Sequence, residues 1–366
     1  MKSNERLYLD LHVLQTVPPS CVNRDDTGSP KTAVYGGVTR ARVSSQSWKR
    51  SMRLMFRDLI PAEQLGTRTK KIVAMVASEI TRLDPVLDAS LAAQRILETA
   101  GLKIKSVEKG TDALFFISTA QVKGLAKLAV EDPETIKDKP SKEAKVKAQS
   151  ALRDSPGIDI ALFGRMVADD PSLNTDACAQ VAHAISTHKT STEYDYFTAV
   201  DDMPDEGHAG AGHLGVVEFN SATLYRYATI ALHQLHDVLA EDAVDATINF
   251  VRAFATSMPT GKQNTFANRT LPDAMLLAVR SDQPINLVGA FEKAVPASGD
   301  GYAVASARRL AGHAAQVYSS FAPAPALSLI VGEPLAEIGP VLSLPETLEA
   351  LRQELGALLE HATQPQ

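Results

Sequence analysis

The sequence predicts an α+β protein whose sheet is of the split βαβ kind, ferredoxin-like or RRM-like, interrupted by a large helical insertion. Three observations carry that prediction. Leu7 to Val13 alternates apolar and polar residues, the period of a strand. A helix with one apolar stripe follows from Ser44 or Ser45 to about Leu59. Beyond a mostly helical stretch over 60–155, strong alternation returns from Val216 to Ile230, then a helix (Asp242 to Thr256) and a strand (Ala274 to Arg280).

In the first strand Leu7, Leu9, Leu11 and Val13 share one side, while Tyr8, Asp10 and His12 share the other. That pattern reads as a half-buried strand. Pro18 to Gly37 is rich in Pro, Ser, Asn, Asp and Gly and reads as a loop. Ser44 or Ser45 offers an N-cap for the next helix. Trp48, Met52, Met55 and Leu59 form its apolar stripe, and Lys49, Arg53 and Arg57 stack on another face with Gln46 and Arg50 beside them.

Within 60–155, Thr69 to Arg82 and Ser90 to Ala100 have helical patterns, and Asp132 to Lys147 is rich in lysine. Ile158 to Phe163 reads as a short strand and Asp176 to Ser186 as a helix. From His188 to Gly215 come aromatics, acids and then GHAGAGHLG, whose glycine density predicts an extended excursion. The C-terminal part adds an Ala-rich helix (Tyr302 to Tyr318), an apolar run (Leu327 to Val331) and a last helix from about Pro345.

At 366 residues and 45% apolar content the chain is long enough for a sizeable core. No apolar run reaches the roughly 18 to 20 residues that a membrane span needs. The N-terminus lacks an apolar secretion signal, and the two cysteines, Cys21 and Cys178, have no metal-like spacing. The expectation is a cytoplasmic protein with no disulfide, no cofactor and no structural metal.

The net charge of −6 conceals a segregation of charge. Lys31 to Arg57 holds seven cations and no acid, whereas Thr190 to Asn220 holds seven acids and no Lys or Arg. Screening over about 8 Å makes the local field matter more than the sum. The cationic helix therefore reads either as a phosphate-holding surface, aided by the N–H groups of its first turn, or as a solvated face. GKQN (Gly261 to Asn264) is a second polar turn suited to close backbone approach, or an ordinary helix-to-strand turn.

His183 and His188 lie five apart, as do His208 and His213, and neither spacing suits a helical metal pair. Asp195, Asp201, Asp202 and Asp205 match no calcium loop and read as a solvated acidic loop. No nucleophile motif stands out. Phe197, beside Tyr196, is either a stacking surface for bases or an aromatic tucked against the core.

Five stretches together carry a resemblance. SCVNRDDTGSPKTAVYGGVTRARVSSQSWKRSMR (Ser20 to Arg53), GIDIALFGRM (Gly157 to Met166), AHAISTHKTSTEYDYFTAVDD (Ala182 to Asp202), HLGVVEFNSATLYRYA (His213 to Ala228) and NLVGAFEKAV (Asn286 to Val295) resemble, in the same order, the CasC-type backbone subunits of type I-E CRISPR Cascade. The resemblance implies a right-hand architecture: an RRM-like palm (1–59, 156–165 and 216–366), helical fingers (60–155 and 166–187) and a protruding thumb (188–215). It implies a non-catalytic subunit, with copies stacking along a CRISPR guide RNA beside other Cascade subunits and a target DNA strand. Arg24, Lys31, Ser44, Gln46, Lys49, Arg50 and Arg53 match the family's RNA-contacting positions, as do Lys262 and Gln263. Met166 matches a fingers residue packed against the RNA, and Phe197, Thr198 and Val200 match the thumb segment that fills the gap left by a displaced base.

Two features depart from the family's pattern: the glycine-rich HAGAGH (His208 to His213) and the lysine-rich Asp132 to Lys147. Because the latter is basic, Lys142, Lys145 and Lys147 are expected to meet target-strand phosphates. Two other functions fit the residues alone. One is a metal-independent ribonuclease that processes the guide precursor with His12 or His188 as acid–base groups. The other is a general single-stranded nucleic-acid binder.

Overall fold

The computed structural model describes residues 6–167, 170–200 and 211–363. The chain divides into two units. The first draws on Met1–Met52, Val181–Thr229 and Phe250–Gln366, the second on Arg53–Gln180 and Ile230–Asn249.

A large, mostly antiparallel sheet organises the first unit. Its strands β1 (Tyr8–Ser20), β2 (Thr32–Tyr35) and β3 (Val38–Val43) come first in the chain, followed by helix α1 (Ser45–Leu59). Across the sheet the order is Val341–Leu342, Leu327–Val331, Ala274–Arg280, β1, Ala211–Ala231, Ala184–Ser186, β3 and β2. The register of β1 on Ala274–Arg280 runs antiparallel from Tyr8 opposite Arg280 to Leu14 opposite Ala274. One face of this sheet packs Leu14, Tyr225, Tyr227, Leu276 and Ile330 against the Ala303–Ser320 helix, which contributes Ala307, Leu310 and Ala314. Small alanines at two of those three positions let the helix lie close to the sheet.

The predicted β1 is present, but it is not half-buried. Asp10 and His12, expected to face water, are fully enclosed. The Tyr227 hydroxyl donates to Asp10 Oδ1 (2.8 Å), the Ile285 N–H donates to Asp10 Oδ2 (2.8 Å), and His12 Nδ1 lies 2.9 Å from the Tyr225 hydroxyl. Polar residues in an alternating strand usually mark the wet face, but here each is buried with a partner. Burial holds His12 down to a pKa of about 3, so it is neutral at physiological pH.

Asp176 to Ser186, expected as a helix, instead contributes the strands Ala179–Val181 and Ala184–Ser186. The Ala182 N–H donates to Tyr227 O and the Thr187 N–H to Thr223 O, each at 2.9 Å. The long Ala211–Ala231 strand thus supplies the backbone partners that a helix would have found within itself, overriding alanine's helix propensity.

In the second unit, helices Ile72–Leu83, Ala89–Thr99, Thr119–Glu131 and Lys142–Arg153 enclose a core that includes Ile72, Val76, Ile96, Leu125 and Leu152. Ser118 and Gln121 form a capping box that starts the third of these helices. Ile158–Phe163 is a helix here, not the expected strand. Ile158, Ile160, Ala161 and Leu162 are all buried, and a short apolar run buried all round carries no period to tell the two apart. The lysine-rich stretch forms the short Pro133–Ile136 turn and the first half of the Lys142–Arg153 helix; Lys147 meets Asp132 at 2.6 Å and Lys137 pairs with Glu134.

Candidate nucleic-acid interface

Helix α1 starts where Ser44 can cap it. The Ser44 Oγ accepts the Ser47 N–H (3.4 Å), and the Ser44 carbonyl accepts the N–H groups of Ser47 (3.0 Å) and Trp48 (3.2 Å). The Ser44 N–H in turn donates to Asn23 Oδ1 (2.8 Å), tying the helix start to the preceding loop. Trp48 and Met52 are buried in the first unit, which fixes the helix's rotation. Gln46 and Arg50 are then exposed, and Lys49 is half-buried. Loss of water around Lys49 lowers its pKa, so an anion at its ammonium would be favoured.

A polar cleft of about 550 Å³ lies against this helix start, within the first unit. Arg24 to Gly28 form one wall, Ser47, Arg50 and Ser51 a second, and Pro259 to Gly261 a third. Asp25 folds onto its own loop: its Oδ1 accepts the Thr27 N–H (3.0 Å), the Thr27 hydroxyl (2.8 Å) and the Ser29 N–H (3.0 Å). The Thr27 hydroxyl is the main cause holding the Asp25 carboxyl below its usual range. The loop is further closed by the Lys31 N–H donating to Asn23 O (2.9 Å).

The third wall depends on a glycine. An added Cβ at Gly261 would stand 2.2 Å from the Val22 carbonyl oxygen, so only glycine lets the two backbones meet. Lys262 follows in the left-handed region (φ 46, ψ 28) and precedes the short Gln263–Phe266 helix. Burial pushes the Cys21 thiol up, and the cations Lys262 and Arg24 oppose this. Arg24 lines the cleft, and Lys262 directly follows Gly261, which lines it too.

In the second unit, Arg53 Nε lies 3.4 Å from Asp159 Oδ2, and its guanidinium sits 4.3 Å from the Phe116 ring centroid. Arg53 therefore has a structural partner as well as its expected ligand. Met166 is 84% exposed. Its neighbour Arg165 is buried and donates to the carbonyls of Leu173, Phe116 and Leu152 and to Gln121 Oε1, which anchors the backbone that presents Met166.

Glu193–Val200 pairs antiparallel with the first half of Ala211–Ala231, in the first unit, so the expected excursion is a β-hairpin. Phe197 sits opposite Gly215, Thr198 opposite Leu214 and Val200 opposite Ala211. A Cβ at Gly215 would come 2.4 Å from the Phe197 ring, which lies across that glycine. The side chain of Val200 and the acids Asp201, Asp202 and Asp205 lie outside the described residues, as do His208, Ala209 and Gly210 of the HAGAGH stretch.

Arg40 departs from the expected cationic surface. It belongs to the seven-cation stretch but is fully buried, donating to the carbonyls of Tyr35, Ser186, Phe291 and Glu292. It holds strands and loops together and does not reach the surface. His188 is also buried, stacked on Tyr302 with ring centroids 3.6 Å apart, and its Nε2 accepts the Thr223 N–H. Asn23, Ser47 and Thr260 were not among the expected contacts; Asn23 and Ser47 both lie inside the Ser20–Arg53 motif, yet nothing in the sequence marks Asn23 as the link to Ser44.

Fold and cleft define an α+β protein that gathers cations at the capped start of a helix beside a glycine-dependent turn. The family model described as CT1975-like protein (Cas_CT1975) matches residues 9–354, and the chain belongs to that family. Among solved structures, a chain of a "CRISPR RNA-guided surveillance complex, pre-nicking" is 33% identical with a TM-score of 0.79, covering 95% of this chain and 100% of that one. A chain of a second "CRISPR RNA-guided surveillance complex" is 31% identical with a TM-score of 0.61, covering 95% and 99%. No curated protein matches. Among the described residues no helix is long and apolar enough to cross a membrane.

Proposed function

We propose that the chain is a subunit of a CRISPR RNA-guided surveillance complex that holds guide RNA by its sugar-phosphate backbone and breaks no bond. The observation that carries this reading is the cleft, where Arg24, Arg50 and the Gly261 turn meet beside Ser47 at the start of α1, with Lys262 next in the chain. Cations and helix N–H groups recognise phosphate and leave base edges free, as guide pairing requires. The likeness to surveillance-complex chains along 95% of the sequence supports it.

In this reading the protein is a CasC-type backbone subunit of a type I-E complex. Copies polymerise along the spacer, and a target DNA strand pairs with the held RNA. The strand order Ala274–Arg280, β1, Ala211–Ala231, Ala184–Ser186, with α1 and the Asp242–Thr256 helix between strands, is that of a split βαβ and supports an RRM-like palm. Phe197, Thr198 and Val200 on the hairpin displace one base at intervals, and Met166 packs against the strand. The enclosed states of His12 and His188 favour binding over a histidine-dependent ribonuclease.

The test is affinity for guides of unrelated spacer sequence at several salt concentrations. Equal affinities with a steep salt dependence, about −0.7 in log–log slope per neutralised phosphate, are expected. Affinity that follows spacer sequence, or histidine-dependent cleavage of repeat RNA, would overturn the reading.

A further inference from the structure

β2 and β3 pair with Thr32 opposite Ala41, and one step further the Lys31 carbonyl accepts the Arg42 N–H at 2.9 Å. Lys31 and Arg42 are thus cross-strand neighbours, and two like charges so placed repel. Arg42 is held in position by its Nε–H, which donates to Thr32 O (3.1 Å). Its Nη1 reaches His183 Nδ1 at 3.2 Å.

An arginine only donates, so His183 Nδ1 accepts and the ring carries its proton on Nε2. His183 is exposed. The partial loss of water on its inner side, Arg42 and Lys31 all lower its pKa, in that order, and among the described residues no carboxylate bears on it. Lys31 and Arg42 therefore both bear on His183, and no acid is among the groups that shift it. Asn23 joins them to the cleft: its carbonyl accepts from Lys31, while its side chain accepts from Ser44.

We propose that Lys31, Arg42 and His183 form a second phosphodiester-binding position next to the cleft, and that His183 takes up a proton when the phosphate binds. This rests on the guide-RNA reading and adds Arg42 and His183 to it. A phosphate between the three groups removes the repulsion that the free protein carries. Once protonated, His183 no longer accepts from Arg42, and both side chains turn their N–H groups to the anion.

The test uses the full chain and an unstructured uridine-rich guide RNA, whose bases do not titrate near neutrality. Affinity is measured between about pH 8 and pH 6 at several salt concentrations. The wild type should bind more tightly as pH falls, and His183→Gln should flatten that dependence. Arg42→Gln should reduce the salt slope by about 0.7, the value for one phosphate on a single strand, and Arg42→Lys should restore it.

If Arg42→Gln keeps the wild-type slope while Lys49→Ala reduces it, the inference fails and the guide-RNA reading stands. If neither variant changes the slope, the reading fails too. Should Arg42→Gln not fold, the His183→Gln pH profile decides alone, and a profile equal to wild type overturns the proposal.

Discussion

Gly261 and Val22 touch backbone to backbone, at a spacing that leaves 2.2 Å between the Val22 carbonyl oxygen and any Cβ at residue 261. The obstructing atom is main chain and cannot swing aside. Gly261→Ala must therefore move the turn away from the loop, at about 1–3 kcal/mol of overpacking. Both a lower melting temperature and a loss of RNA affinity are expected, since Lys262 rides on that turn. Unchanged affinity in a folded variant would separate the turn from the site.

Lys49 and Arg53 share a face of α1 but should fail differently. Lys49→Ala removes a desolvated cation and should flatten the salt slope of guide binding by about 0.7. Arg53→Ala also strips a partner from Asp159, whose side chain is only 3% exposed. Breaking such a pair costs on the order of 3 kcal/mol, so chemical denaturation should show a marked destabilisation for Arg53→Ala alone. Equal stabilities would contradict the structural role of this arginine.

His12 predicts the acid behaviour of the first unit. Its pKa of about 3 in the fold lies below the ordinary value of 6.5, so between these limits the unfolded chain binds the extra proton. Stability is therefore fullest above about pH 6.5 and declines as pH falls towards 3, by on the order of 5 kcal/mol from this group. His12→Gln should flatten that decline in melts taken from pH 7 to pH 4. An identical decline in the variant would assign it to other groups.

Phe197→Ala should leave guide affinity near wild type but abolish periodic base exposure in chemical probing. Gly215→Ala should give the same phenotype, because its methyl would stand 2.4 Å from the ring and push it off the hairpin. Regular exposure in both variants would remove Phe197 from base displacement.

What the sequence could reveal followed from whether neighbours in space were also neighbours in the chain. α1 was legible because its cap and apolar stripe are local, and Trp48 and Met52 are buried as their spacing predicted. β1 was legible as a strand, but the burial of Asp10 and His12 depends on tyrosines more than 200 positions away. Arg40 looked like part of a cationic surface until the carbonyls of Phe291 and Glu292 closed around it. Ile158–Phe163 was ambiguous because a run buried on every side has no polar face to set its period. Of the site, the helix start could be read directly, whereas the approach of Gly261 to Val22 exists only in the folded chain.

If many copies grip one RNA strand by its phosphates, the mass of the assembly must follow the length of the guide. Mass photometry at low ionic strength, with guides of increasing spacer length, reads this without any variant. Complexes should gain whole copies of the chain in steps as the spacer lengthens. A single bound copy at every length, or no binding at all, would refute the filament.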